Sequence, residues 1–95
     1  MAQDIRYEFA SHRATALNEV AILEQMGRAG WELIDFGPFR LQFRRPFDRA
    51  DIRPWEYARR TALFGDRIRQ EMRVEGWEPS GDWAVFHYFK RHRAA

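Results

Sequence analysis

The segment Leu23-Glu-Gln-Met-Gly-Arg-Ala-Gly-Trp-Glu-Leu33 decides the fold of this chain, because its Gly-Trp-Glu end recurs at Gly76-Trp-Glu78. A shift of 46 residues aligns residues 17–45 with residues 63–91. Self-similarity at a fixed period is the signature of a repeated structural unit, so the chain is predicted to contain two copies of one unit. The identical pairs are Leu17/Leu63, Ile22/Ile68, Met26/Met72, Gly30/Gly76, Trp31/Trp77, Glu32/Glu78, Phe43/Phe89 and Arg45/Arg91.

Each copy is predicted to form a strand, a helix and two further strands. In the first copy, apolar residues alternate or cluster as in strands at 5–10, 31–36 and 39–45. Between them, residues 15–29 have helical spacing, with Thr15 as a candidate N-cap and Gly30 as the left-handed residue that ends the helix. The second copy repeats the pattern, with strands at 55–58, 77–81 and 84–91 and a helix at 61–75. Pro79 predicts that its middle strand is short and lies at a sheet edge.

The chain has 95 residues, which is the size of one domain. Repeat 1 spans about 5–45, a proline-bounded linker spans 46–54, repeat 2 spans about 55–91, and a tail follows at 92–95. The predicted fold class is α+β: a two-layer sandwich of two βαββ repeats related by a pseudo-twofold axis, with antiparallel-rich sheet and two helices on one face. The spacing leaves open whether the repeats share one sheet or form two.

The expected core consists of the apolar residues that strand alternation and helical spacing turn inward. In repeat 1 these are Tyr7, Phe9, Val20, Ile22, Leu23, Met26, Trp31, Leu33, Leu41 and Phe43. In repeat 2 they are Trp55, Tyr57, Ile68, Met72, Trp77 and Phe89.

The composition excludes several kinds of site. The sequence has no cysteine, which excludes disulfides, thiolate nucleophiles and cysteine zinc sites and fits a reducing compartment. Met1-Ala-Gln-Asp4 has an acid where a signal peptide needs a basic segment, and no apolar run reaches the ~18–20 residues that cross a bilayer. We therefore expect a cytoplasmic protein with no membrane partner, no metal and no cofactor.

Arginine dominates the basic residues, because Lys90 is the only lysine among 16 bases and the net charge is +2. The bias fits phosphate recognition by planar guanidinium groups, and it equally fits base composition or surface ion pairs. Carboxylates occupy equivalent places in both copies, and we expect them to pair with bases across the sheet rather than to act as catalytic acids. They are Glu8, Glu32, Glu56 and Glu78.

The two copies resemble the two halves of a bacterial domain family of unknown function. The resemblance rests on residues 23–33 with Phe43-Arg-Arg45, and on Gly76-Trp-Glu78 with Trp83 and Tyr88-Phe-Lys-Arg91. In that family a leucine-rich helix runs into Gly-Trp, a strand ending in Phe and a base follows, and the pattern repeats. Members are often encoded near PadR-type transcription regulators, and some continue into membrane helices. The resemblance implies an architecture and supplies no catalytic residues.

The positions at which the copies diverge supply the candidate functional residues. Phe86 and Tyr88 stand where the first copy has Arg40 and Gln42, and we expect the two rings to point away from the core as an exposed patch. With the neighbouring bases, the predicted interaction face is Phe86, Tyr88, Arg40, Gln42, Arg44 and Lys90. His87 replaces Leu41 and should face inward, as a satisfied core histidine or, alternatively, as a functional base.

The patch calls for a partner, so the sequence favours a non-enzymatic interaction module. We expect it to bind a protein or to self-associate as a homodimer, in a regulatory role. Single-stranded nucleic acid, stacked on the sheet aromatics beside arginine, is the alternative partner. A small-molecule enzyme built around His87 is the third hypothesis.

Overall fold

The computed structural model describes residues 5–94, in which six strands and two helices form. In chain order the elements are β1 (Tyr7–Arg13), α1 (Glu19–Arg28), β2 (Glu32–Gly37), β3 (Arg40–Pro46), a 3-10 turn (Arg49–Asp51), β4 (Trp55–Thr61), α2 (Asp66–Val74), β5 (Glu78–Trp83) and β6 (Phe86–His92). Met1–Asp4, before the first predicted strand, and Ala95, in the predicted tail, lie outside the described residues.

Each repeat forms its own three-stranded antiparallel sheet. Sheet A has the order β1-β3-β2 and sheet B the order β4-β6-β5, so the predicted α+β class and βαββ units are confirmed and the repeats form two sheets. The register shifts at the same place in both, between Leu33 and Asp35 and between Pro79 and Gly81. The edge position predicted for the strand with Pro79 is confirmed, but at six residues β5 is as long as β2.

Both helices end in the same hydrogen-bonded turn, which explains the residues that the repeats share. Gly30 and Gly76 each have φ +87°, a conformation that favours glycine. The N–H of the following tryptophan donates to the carbonyl of Met26 or Met72, at 3.0 Å in both copies. With the bond from the glycine N–H to the carbonyl three residues earlier, this is a Schellman motif.

An arginine from the last strand of each repeat locks this helix end to the sheet. The Arg45 guanidinium lies 4.3 Å from the centre of the Trp31 ring and donates to the Ala29 carbonyl at 3.1 Å and to Glu8. In repeat 2, Arg91 lies over Trp77 at 4.1 Å and donates to the Glu75 carbonyl at 2.5 Å and to Glu56. The identical residues therefore hold each helix to its own sheet.

The helices begin later than predicted. The structure places Asn18 at the N-cap position of α1, and its side chain accepts the Thr15 N–H at 2.7 Å. The Thr15 hydroxyl instead accepts the Leu17 N–H, at 3.3 Å, so it stabilises a turn before the helix. Thr61, which the pattern assigned to the second helix, extends β4 instead.

Each sheet has two faces of different character. We call the side covered by the helix of the same repeat the helix face, with Leu41 and Phe43 in sheet A and His87 and Phe89 in sheet B. The opposite side is the back face. The back face carries Arg40, Gln42 and Arg44 in sheet A and Phe86, Tyr88 and Lys90 in sheet B.

The repeats join because α1 also packs against β4 on the back face of sheet B. Gly27 allows this contact, since a Cβ there would lie 2.4 Å from the Trp55 carbonyl oxygen. No comparable contact joins α2 to β1 within residues 5–94. Arg73 stands at the position of Gly27, and Phe9, at the position of Tyr57, is 69% exposed. The two helices therefore differ in the contacts that they make between the repeats.

The burial of the predicted core residues reflects this difference between the two helices. The predicted core residues Leu23, Met26, Leu33, Leu41, Phe43, Met72 and Phe89 are buried. Phe9 and Val20 are exposed, because α2 does not cover β1 and Val20 lies on the outer side of α1. Tyr88, which was not expected in the core, is 2% exposed and packs in one cluster with residues of repeat 1.

The substitution Gly27→Ala tests the contact between α1 and β4. Alanine in a helix interior would by itself stabilise the protein by about 1 kcal/mol. The Cβ would meet the Trp55 carbonyl, so we expect a net loss of about 1–3 kcal/mol in the free energy of unfolding, measured by chemical denaturation. Gly37→Ala is the control, because a Cβ there has nothing within 4 Å. Equal effects of the two substitutions would contradict this interpretation.

Candidate functional site

The predicted interaction face is divided between two surfaces. Phe86, Tyr88 and Lys90 lie on the back face of sheet B, against repeat 1, whereas Arg40 and Gln42 lie on the back face of sheet A. Tyr88 is buried and Phe86 is half-buried. The expectation of an exposed aromatic patch is therefore wrong, because α1 and β2 of repeat 1 cover the two rings.

Tyr88 is bound to α1 by its hydroxyl. The hydroxyl donates to the carboxylate of Glu19, and the ring lies 4.8 Å from that of Phe36 between centres. Burial and the neighbouring Glu19 carboxylate raise the pKa of Tyr88, so the phenol stays neutral and donates. No sequence pattern pointed to Glu19, which connects the first turn of α1 to sheet B.

Arg59 completes this cluster from β4. Its Nη1 donates to Glu19 Oε1 at 2.7 Å and to the Ala16 carbonyl at 3.0 Å. The guanidinium lies 4.6 Å from the centre of the Phe86 ring, within the range of a cation–π contact. Both aromatic residues of the predicted face thus serve the contact between the repeats.

Glu32 forms a second ionic connection between the two sheets. Its Oε1 accepts from Arg44 Nε at 2.7 Å and its Oε2 from Lys90 Nζ at 2.8 Å. Burial raises the pKa of Glu32, but the hydrogen bonds from Lys90 and Arg44 outweigh it and lower the pKa overall. Two more residues of the predicted face, Arg44 and Lys90, are therefore held in an ion pair.

Tyr57 binds the edge of β2 with both hydrogen-bonding functions of its hydroxyl. It donates to the Trp31 carbonyl and accepts the Leu33 N–H, both at 2.7 Å. Burial raises the pKa of Tyr57. An edge strand with free N–H and C=O groups is an aggregation hazard, and this contact satisfies two of them. The sequence carries one signal of this contact: the first helix has Gly27 where the second has Arg73, and only the glycine lets a helix lie this close to β4.

His87 is a buried, hydrogen-bonded core residue, 5% exposed. Its Nε2 lies 3.0 Å from the Ala62 carbonyl oxygen, which can only accept, so Nε2 carries a hydrogen. Its Nδ1 lies 2.6 Å from Asp82 Oδ1, and the other oxygen of Asp82 pairs with Arg69. The sequence left two interpretations of His87, a hydrogen-bonded core residue and a functional base, and this arrangement fits the first.

The back face of sheet A is open. Phe9 is 69% exposed, Arg40 is exposed and Gln42 is half-buried. Neither Arg40 nor the exposed Asp35 forms a salt bridge among the described residues. At the other end of this face, Tyr7 is covered by the Arg44 guanidinium at 4.5 Å from the ring centre.

Ion pairs account for much of the arginine bias. Three of the four equivalent carboxylates pair with bases as predicted, in Glu8–Arg45, Glu56–Arg91 and the Glu32 cluster, while Glu78 is exposed. Within residues 5–94, no group of three or more histidine, aspartate or glutamate side chains could hold a metal ion. Over the same residues, no helix is both long and apolar enough to cross a membrane.

Comparisons with known proteins find no match. No family model, no curated protein and no solved structure matches this chain. The resemblance to the bacterial two-repeat family stays a prediction.

Glu32→Gln tests the connection between the sheets. The folded pKa of Glu32 is below its ordinary value of 4.5, so its contribution to stability is complete above that pH and is lost as the pH falls through the folded pKa. We expect the substitution to reduce the free energy of unfolding by about 1–3 kcal/mol at neutral pH and by less in acid, measured by denaturation across pH. Glu24→Gln is the control, since its pair with Arg28 is exposed and is worth at most about 0.5 kcal/mol. A pH-independent difference would contradict the role of the ionised carboxylate.

Proposed function

We propose that this chain is a small non-enzymatic interaction module that self-associates through the back face of sheet A. One observation carries the proposal: the back face of sheet B is an interface between the repeats, whereas the equivalent face of sheet A leaves Phe9 69% exposed. We place this function in the cytoplasm, in line with the cysteine-free sequence.

The chain's own second helix is not shaped to cover this face. Where α1 presents Gly27 to sheet B, α2 has Arg73. The space at Gly27 does not admit even a Cβ, so a helix with arginine at that position cannot pack equally closely on a sheet. We therefore expect another chain, rather than α2, to cover the open face.

A second copy of this chain fits the open face because the face is self-complementary. It carries an apolar ring in β1, an unpaired acid in β2 and an unpaired base in β3, which are Phe9, Asp35 and Arg40. A two-fold interface sets the same patch against itself, so the acid of one copy can meet the base of the other. Full burial of a phenylalanine side chain contributes roughly 1.5–3 kcal/mol.

Single-stranded nucleic acid remains the second candidate. It is supported by one exposed ring, Phe9, on the same sheet face as the cross-strand pair Arg13 and Arg40, which form no salt bridge among the described residues. Other arginines that could bind phosphate are held by carboxylates, and these are Arg44, Arg45, Arg59, Arg69 and Arg91. Because so many arginines are neutralised in this way, self-association is the better-supported function of the open face.

Phe9→Ser tests self-association. We expect the full chain to form a dimer in sedimentation and light scattering, and the substitution to weaken the dimer at least about tenfold, because it removes the apolar centre of the face. Phe64→Ser is the matched control, since Phe64 is 85% exposed on a different surface, and it should leave the dimer intact.

Three results would overturn the proposal. The first is a wild-type chain that stays monomeric at about 0.5 mM, a concentration that populates even weak dimers. The second is a dimer lost in Phe64→Ser and kept in Phe9→Ser. The third is a monomer that retards single-stranded RNA at low salt and loses this in Arg40→Ala, which would establish the nucleic-acid function instead.

A further inference from the structure

A cavity of about 90 Å³ lies between the repeats, at the end of the molecule where both hairpins turn. We call it the hairpin cavity. It is bordered by the loop before α1, the β2–β3 turn and the start of β6. The side chains that matter for its chemistry are Glu19, Phe36, Phe39, Trp83, Phe86 and Tyr88. The cavity is separate from the open face around Phe9.

Aromatic rings form much of the wall of the hairpin cavity, and its charged group is the carboxylate of Glu19. Aromatic ring faces attract cations, tryptophan most strongly. The Glu19 side chain is only 13% exposed. The hydrogen bonds that Glu19 accepts from described residues, from the Tyr88 hydroxyl and Arg59 Nη1, both end on Oε1. Oε2 therefore has its acceptor capacity left for a donor that enters the cavity.

One carboxylate in this protein already binds two cations, so Glu19 can bind a second cation beside Arg59. Glu32 binds Arg44 on one oxygen and Lys90 on the other, at 2.7 and 2.8 Å. Glu19 binds a cation on one oxygen, with Arg59 on Oε1. The burial of the two carboxylates is similar, since Glu32 is 16% exposed.

Backbone strain is concentrated next to the cavity. Phe39, at its border, has φ +66°, and Ala84, next to Trp83 in the other hairpin turn, has φ +54°. Bulky residues rarely adopt this left-handed conformation, and Phe39 gains little packing from it because it is 70% exposed. Such strain is often found at ligand-binding loops.

We propose that the hairpin cavity binds a small primary alkylammonium ion. The ammonium group donates to Glu19 Oε2, and the alkyl chain lies against Phe36 and Trp83. The cavity is smaller than the ~150 Å³ site that accommodates benzene in an engineered protein core, so only a short chain fits. This ligand class goes beyond self-association and does not depend on it.

Titration of the full-length chain with n-propylammonium, followed by ¹H–¹⁵N NMR, tests the proposal. We expect saturable shifts of the Trp83 indole N–H and the Glu19 amide, with a Kd on the order of 1 mM. Signals of Trp31 and Trp77 should stay unchanged, since neither residue borders the cavity. Neutral 1-propanol, with the same carbon chain, should bind at least about tenfold more weakly.

Two variants locate the site. Glu19→Gln keeps the shape of the side chain and should weaken ammonium binding at least about tenfold, with 1-propanol unaffected. Trp83→Ala, at a residue 40% exposed, leaves the Glu19 cluster intact and should also weaken binding, so it decides the question if Glu19→Gln does not fold. Phe9→Ser should bind as the wild type does, which separates this result from the test of self-association.

Absence of saturable shifts in the wild type up to about 100 mM propylammonium would overturn the proposal. Equal binding of 1-propanol, or unchanged ammonium binding in folded Glu19→Gln, would do so as well.

Discussion

The close approach of α1 to β4 at Gly27 is the constraint on which the structure depends. The approach is so close that a Cβ at Gly27 would lie 2.4 Å from the Trp55 carbonyl oxygen. At this separation Tyr57 reaches the β2 edge and Tyr88 reaches Glu19. These contacts bring Tyr88 of repeat 2 into the buried cluster of repeat 1, with Tyr57 and Phe86 packed against it. A single unit of about 40 residues is below the size that usually folds alone, so the contact makes one stable domain of two marginal halves.

Residues shared by the repeats predicted the local structure well, because they act within one repeat. Gly30 and Trp31 form the helix end, and Arg45 holds that end to its own sheet. These interactions need only a few neighbouring elements, so the same residues produce the same geometry twice. Helix starts were predicted less well, since a threonine can stabilise either a helix or a preceding turn, and Thr15 does the latter.

Residues that differ between the repeats were misread as a functional surface. Phe86 and Tyr88 differ from Arg40 and Gln42 because one back face is covered and the other is open. Strand alternation assigns a residue to a face, but it does not say which element of the chain covers that face. That information lay in the difference between Gly27 and Arg73, since a helical glycine permits the closest packing and an arginine prevents it.

The asymmetry also restricts how copies of the chain can associate. Repeat 1 packs onto repeat 2 in a head-to-tail manner, and such a contact leaves one unused surface at each end of the pair. Here these surfaces are the back face of sheet A and the outer side of α2. If both were complementary, the contact could repeat from chain to chain and form open filaments. Arg73, at the position of Gly27, prevents α2 from packing as α1 does, so the self-association that we propose sets two open faces against each other as a closed dimer.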